Sequence, residues 1–338
     1  MFLTFEQIKQ ITKGAARITM DESGYCKFFR FSKTEEDAYA AHPRAKDFFG
    51  STLRPAGVRF ALYTDSDFIA FDVSSGKPSS IAVAKFDVYE NGAMVKEISV
   101  DYTYMNSARV RVELSKGEKL LEIYFPYNAY ADIAKVELAD GATLAPASRA
   151  YKMLSYGDSI THGSTASHPS LSYAPALARM LNADLTNKGI GGEEYFPNLI
   201  QEVAEEMPDW ITVAYGTNDW KHCTPEEFDA KCSEFLRRLV GLYPTTPILV
   251  ITPSWRADAN IVTPFGAPTT EVDARVRAIA APYENVTVIR GWDLTPHATG
   301  FYADNRLHPN DLGFGIYAFN LYREILPVLQ KAIGYTFQ

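Results

Sequence analysis

Four short runs carry residue types that could perform acyl transfer. In chain order they are Gly157-Asp158-Ser159-Ile160-Thr161, Asn187-Lys188-Gly189-Ile190-Gly191-Gly192, Gly216-Thr217-Asn218-Asp219 and His308-Pro309-Asn310. Ser159 offers a hydroxyl nucleophile, Gly192 a backbone N–H donor, Asn218 a side-chain amide donor and His308 a base. Hydroxyl attack on an ester carbonyl builds negative charge on its oxygen, so a nucleophile and base need donors aimed at that oxygen. The Ser159 N–H is a further candidate donor, and Asp158 is suited to brace the loop through backbone N–H groups. This chemistry requires no metal or organic cofactor. His162, His168, His222 and His297 show no ligand spacing such as H-E-x-x-H, so surface or pocket-wall roles suit them better than metal.

Taken singly, each run has a plain explanation. Gly-Asp-Ser can be a strand-to-helix turn with an N-cap, Gly192 a turn glycine and Asn218 a cap or turn residue. The glycines at 189, 191 and 192 do not match a dinucleotide loop, because the third is misplaced. What favours chemistry is that all the runs occur in order and each falls where a strand should end.

Those strand ends come from a change of pattern near residue 150. Before it the chain reads as β. Gly57 to Val73 is rich in Phe, Val, Ile and Tyr and is broken at Asp65-Ser66-Asp67. Phe86–Tyr89 runs into Asn91-Gly92 and resumes at Met94, a strong hairpin signal. Val110–Leu114, Leu120–Phe125 and Ala134–Leu138 continue the alternation. Short strands at close spacing predict an antiparallel β-sandwich, jelly-roll-like, over residues 1–148. In that half only Thr4 to Thr12 reads as helical.

Over residues 149–338 strand-length apolar runs alternate with helical patterns. The predicted strands are Tyr151–Tyr156, Ala183–Asn187, Trp210–Tyr215, Ile248–Thr252 and Val286–Ile289. The clearest helix follows Thr224-Pro225-Glu226-Glu227, a capping box with proline in the first turn. This alternation predicts a five-stranded parallel sheet with helices on both faces, and ligands at the carboxyl ends of its strands. Ser159, Gly192 and Asn218 follow the first three strands. Pro309 disfavours a helical His308, so that residue is expected in the loop leading to the last helix.

Bulk properties narrow the partners. The length of 338 residues favours two domains, and 46% apolar residues supply a core. A net charge of -8 argues against nucleic acid. No run of about 18 apolar residues predicts a membrane span. The three cysteines form no metal spacing. Met1 to Gln10 lacks a basic segment followed by a long apolar run, so no signal peptide and a cytoplasmic location are expected.

The runs resemble the blocks of the SGNH, or GDSL, hydrolases, and the resemblance covers about residues 151–330. It implies that Ser159 is the nucleophile, that the glycine five positions after Asn187 is Gly192, that Asn218 is the block-three asparagine and that His308 is the base. It also implies a flavodoxin-like three-layer α/β/α fold and ester hydrolysis through an acyl-enzyme. A β-sandwich joined to such a domain is similar to the layout of the second carbohydrate esterase family, whose members remove acetyl groups from sugars.

One position departs from that pattern. The family usually carries an aspartate three residues before the histidine, where Asn305 stands here, with Asp304 one residue further back. Asp304 could reach the imidazole, Asn305 could orient it, or a backbone carbonyl could do so in a Ser–His dyad. Asp304 is favoured, because only a carboxylate also stabilises the imidazolium. Trp220, Trp255 and Arg256 follow the third and fourth strands and are candidates for a substrate wall, against ordinary packing. The expected substrate is a small-molecule or oligosaccharide ester carrying a short acyl group, acetyl above all. A lipid or lysophospholipid esterase and a carbohydrate-binding protein with a decayed site are the alternatives. An oligomer is left open.

Overall fold

Residues 1–74, 83–101 and 107–336 are described by the structure, a computed structural model. Its first half contains α1 (Phe5–Ile11), β1 (Thr12–Lys13), β2 (Arg17–Met20), β3 (Cys26–Phe29), α2 (Lys33–Ala40), α3 (Ala45–Thr52), β4 (Arg59–Thr64) and β5 (Phe68–Ser74). There follow β6 (Val83–Glu90), β7 (Ala93–Asp101), β8 (Ser107–Glu113), β9 (Lys119–Tyr124), β10 (Asp132–Leu138) and β11 (Ala145–Pro146). The alternation resolves into two antiparallel sheets, ordered β1-β4-β9-β6-β7, with β11 also on β4, and β2-β3-β10-β5-β8. Their inward residues interlock, with Phe28, Phe60, Phe71, Phe86 and Phe125 meeting at centroid distances from 4.8 to 5.9 Å. Asn91 and Gly92 close the β6–β7 hairpin with φ of 50° and 83°, the paired positive φ that such a turn needs.

Among its described residues the β half also holds two helices besides the one expected at Thr4–Thr12. Both α2 and α3 are eight residues long, too short for a helical period to repeat convincingly in sequence. They do not fold with the sandwich. The chain divides into two compact units, one of Met1–Ser32, Thr52–Arg149 and His168–Ser170, the other of Lys33–Ser51, Ala150–Ser167 and Leu171–Gln338. A single boundary near residue 148 therefore does not follow the compact units. Side chains explain the exchange: Tyr39 of α2 bonds Glu193, while buried Asp87 accepts from His168 Nδ1 at 2.8 Å and the Ser170 N–H at 2.9 Å.

The second unit is built on β12 (Tyr151–Gly157), β13 (Ala183–Gly189), β14 (Trp210–Ala214), β15 (Ile248–Ile251) and β16 (Val286–Ile289). All five are parallel, in the order β13-β12-β14-β15-β16. Between and after them lie α4 (Ser159–His162), α5 (Tyr173–Met180), α6 (Thr217–His222), α7 (Pro225–Leu242), α8 (Glu271–Ala280) and α9 (Asp311–Ile333). Thr224 and Glu227 form the expected reciprocal cap of α7. Growth of the sheet reverses at β12, so right-handed crossovers send α5 to one face and α7 and α8 to the other, giving three layers. That reversal opens a crevice at the carboxyl ends of β12 and β14.

Candidate active site

Glycines let the chain turn tightly at those ends. A Cβ on Gly157 would stand 2.1 Å from Thr161 Oγ1, and one on Gly189 would stand 2.4 Å from the His162 amide nitrogen. Only glycine therefore lets α4 close onto the ends of β12 and β13. Asp158 caps α4, its carboxylate accepting from the Ile160 N–H at 2.9 Å. Burial pushes this carboxyl up to about 7 against the pull of that amide and of the Arg256 charge. Ser159 follows with its residue 8% exposed.

His308 reaches the hydroxyl from the loop before α9. Its Nε2 lies 2.9 Å from Ser159 Oγ, and its Nδ1 lies 2.8 Å from Asp304 Oδ2. A carboxylate can only accept, so Nδ1 carries the proton and Nε2 is free to take one from the hydroxyl. Asp304 Oδ1 meanwhile accepts from the backbone N–H groups of Arg306, Leu307 and His308 at 3.0, 2.8 and 3.1 Å. Burial works against the Asp304 charge, but these amides and the imidazole outweigh it and hold the carboxyl at about 2.

The Nδ1 position is taken by Asp304 and not by Asn305. Asn305 takes φ of 54° at the apex of the turn and its N–H donates to the Tyr302 carbonyl at 3.2 Å. Asparagine tolerates that left-handed conformation well, and the reversal it allows turns Asp304 toward the imidazole.

The glycine loop runs beside the serine. A Cβ on Gly191 would stand 3.9 Å from Ser159 Cβ, so the glycine loop passes close to it. Among the described residues, neither the Ser159 nor the Gly192 amide donates to another backbone carbonyl. Asn218, at the start of α6, spends one amide hydrogen on the Glu193 carbonyl at 2.9 Å and has a second to give. An imidazole aligned between a hydroxyl and a carboxylate, next to such amides, can drive nucleophilic attack on a carbonyl.

Two of the candidate wall residues are packing residues instead. Trp220 is fully buried and its indole N–H donates to the Ala267 carbonyl at 2.7 Å. Arg256 is buried above that indole, 4.5 Å from the ring centroid. Asp258 holds it at 2.6 and 3.0 Å and Thr217 Oγ1 at 2.9 Å. Both lie close to the strand ends as expected, but their apolar area and charge are consumed inside the fold. Trp255 is half-buried and stacks on His297 at 5.9 Å and 11°.

The sequence reading missed Arg44 and Phe48. A Cβ on Gly192 would stand 3.8 Å from Phe48 Cε1 and 3.9 Å from Arg44 Nη2. They lie in the Lys33–Ser51 segment, far from the motifs in sequence, and nothing in their spacing marks them. A metal-like group of Glu194, Asp219 and Cys223, with ligand atoms within 4.8 Å of one another, already contains an ammonium. Lys231 Nζ lies 2.7 Å from Glu194 Oε2 and 3.2 Å from Cys223 Sγ, so the positive charge is built in.

Residues 155–316 match the GDSL-like Lipase/Acylhydrolase family. Among solved structures, the chain is similar to the salicylyl-acyltransferase SsfX3 from a tetracycline biosynthetic pathway, at 23% identity and TM-score 0.78 over 96% of each chain. It is also similar to a family two carbohydrate esterase from Clostridium thermocellum, at 15% identity and TM-score 0.69 over 96% of this chain and 100% of that one. An acetyl xylan esterase, Est2A, from the rumen bacterium Butyrivibrio proteoclasticus aligns at 14% identity and TM-score 0.64 over 100% and 99%. These likenesses establish a shared two-domain fold. Comparison with the curated proteins returns no match. Among the described residues no helix is long and apolar enough to cross a membrane.

Proposed function

We propose that this ester-hydrolysing enzyme, whose residues 155–316 match the GDSL-like Lipase/Acylhydrolase family, removes short acyl groups, acetyl first, from carbohydrate esters. The observation that carries the mechanism is the line from Ser159 Oγ through His308 to Asp304, at 2.9 and 2.8 Å. Ser159 Oγ attacks the carbonyl while His308 Nε2 takes its proton. The N–H groups of Ser159 and Gly192 and the second Asn218 amide hydrogen receive the oxyanion. Collapse breaks the bond to the alcohol, which His308 protonates as it leaves. Water then attacks the acyl-enzyme with His308 again as base, and Asp304 stabilises the imidazolium at each stage.

A short acyl group is supported by the wall at Gly192. Phe48 and Arg44 stand within contact distance of a would-be Cβ there, which leaves little room for a long chain beside the donor. A sugar as the alcohol part of the ester is supported by whole-chain likeness to carbohydrate esterases. The test is a panel of acetylated sugars and xylo-oligosaccharides, with p-nitrophenyl esters of increasing length and Ser159→Ala as control. Acetate release that vanishes in S159A supports the reading. Preference for long acyl chains, or failure of a fluorophosphonate to label Ser159 in folded protein, overturns it.

A second outcome for the same acyl-enzyme is capture by an alcohol instead of water, favoured by the likeness to an acyltransferase across 96% of both chains. Ester product formed in the presence of sugar or phenolic acceptors, at the expense of free acid, would distinguish transfer from hydrolysis.

A further inference from the structure

Directly after the glycine loop sits a carboxyl group that the proposed mechanism leaves unused. Glu193 is 1% exposed. The Tyr39 hydroxyl of α2 donates to its Oε1, and the Tyr215 hydroxyl donates to its Oε2 at 2.8 Å. Tyr215 ends the path from β14 into the Asn218 loop. The backbone of Glu193 is committed to the same neighbourhood: its carbonyl accepts from Asn218 Nδ2 at 2.9 Å and its N–H donates to Ile190 at 3.3 Å. Two residues on, the Tyr195 N–H donates to Asp219 Oδ1 at 3.0 Å. One segment thus ties the loop carrying Gly192 to the loop carrying Asn218, at a side chain and at two backbone positions.

Burying a carboxyl costs free energy unless its oxygens are satisfied, and an apolar residue of similar volume would fill the space without that cost. Two phenols brought from different elements, α2 and the end of β14, point to a role in fixing register. We propose that Glu193 is a positioning residue: gripped by Tyr39 and Tyr215, it holds the Gly192 N–H and the Asn218 amide at the spacing that a developing oxyanion requires. Through Tyr39, α2 becomes part of the active-site frame. The proposal rests on the oxyanion role assigned above to Gly192 and Asn218.

The test compares wild type with Glu193→Ala and with the double variant Tyr39→Phe/Tyr215→Phe, which removes both grips without changing volume. Two readouts are used, p-nitrophenyl acetate turnover and the second-order rate of Ser159 labelling by a fluorophosphonate. Misplaced donors should lower kcat and the labelling rate together by about 10–10²-fold with KM nearly unchanged, in protein that circular dichroism shows to be folded. If E193A does not fold, the double variant decides. Turnover and labelling both within about twofold of wild type in the folded double variant would overturn the proposal. Should wild type label at Ser159 but reject acetyl esters, the substrate reading fails while the labelling rates still decide the role of Glu193.

Discussion

Replacing Asp304 by asparagine separates its two jobs. Oδ1 holds three backbone amides of the His308 turn, at 2.8 to 3.1 Å, and Oδ2 holds the imidazole at 2.8 Å. In Asp304→Asn the amide oxygen can keep the three backbone bonds, so the turn persists. The new NH₂ then faces Nδ1 and can only donate to it. The ring proton moves to Nε2, which becomes a donor to Ser159 and can no longer serve as base. The corresponding change in a buried serine triad costs about 10⁴ in kcat. Here the carboxylate side chain is 29% exposed, so water recovers part of the effect, and the expected loss is about 10³-fold, or about 4 kcal/mol of barrier. The assay is kcat/KM on p-nitrophenyl acetate beside a thermal melt. Asn305→Ala is the control: it should cost about 1 kcal/mol of stability, because alanine resists φ of 54°, and leave kcat within about threefold. Retention of more than about a tenth of activity in D304N, or an equal loss in N305A, would refute the assignment of Asp304 over Asn305.

Other outcomes follow from the same geometry. Asn218→Ala removes one oxyanion donor and should lower kcat by about 10²–10³-fold with little change in KM, measured by steady-state kinetics. Trp220→Ala should destabilise by about 3–5 kcal/mol in denaturant titration, since the indole is buried under Arg256; the relative rates on different esters should not change. Burial raises Asp158 and Asp219 to about 7, so the folded chain keeps protons that the unfolded chain releases near pH 4. Their stabilising contribution is complete below about pH 4 and lost as pH rises through about 7, so the melting temperature should fall between about pH 4 and 7. Calorimetry on Asp158→Asn should show a shallower fall.

Much of the catalytic framework could be read from local pattern, because backbone requirements leave local marks. Gly157 and Gly189 are needed where α4 closes on the sheet, Thr224 and Glu227 cap α7, and Pro309 keeps His308 out of the last helix. Parallel strands separated by helices imply a crevice at their carboxyl ends, which is why Ser159, Gly192, Asn218 and His308 can be grouped from the sequence. The choice between Asp304 and Asn305 had no such mark. It turned on a single left-handed residue and the direction in which its neighbour then faced.

Identity and order of the candidate reacting groups, and the strand-end positions of Ser159, Gly192 and Asn218, were thus determined by the sequence alone, since each depends on a few adjacent residues. Tertiary structure alone decided which side chains are consumed by packing and which meet across long separations. Trp220 and Arg256 sit near the right edge yet are spent inside the fold. Tyr39, Arg44 and Phe48 belong to the catalytic unit although they lie in the β half of the chain. Contacts of that kind depend on how elements distant in sequence fill one volume, and neither spacing nor composition encodes that volume.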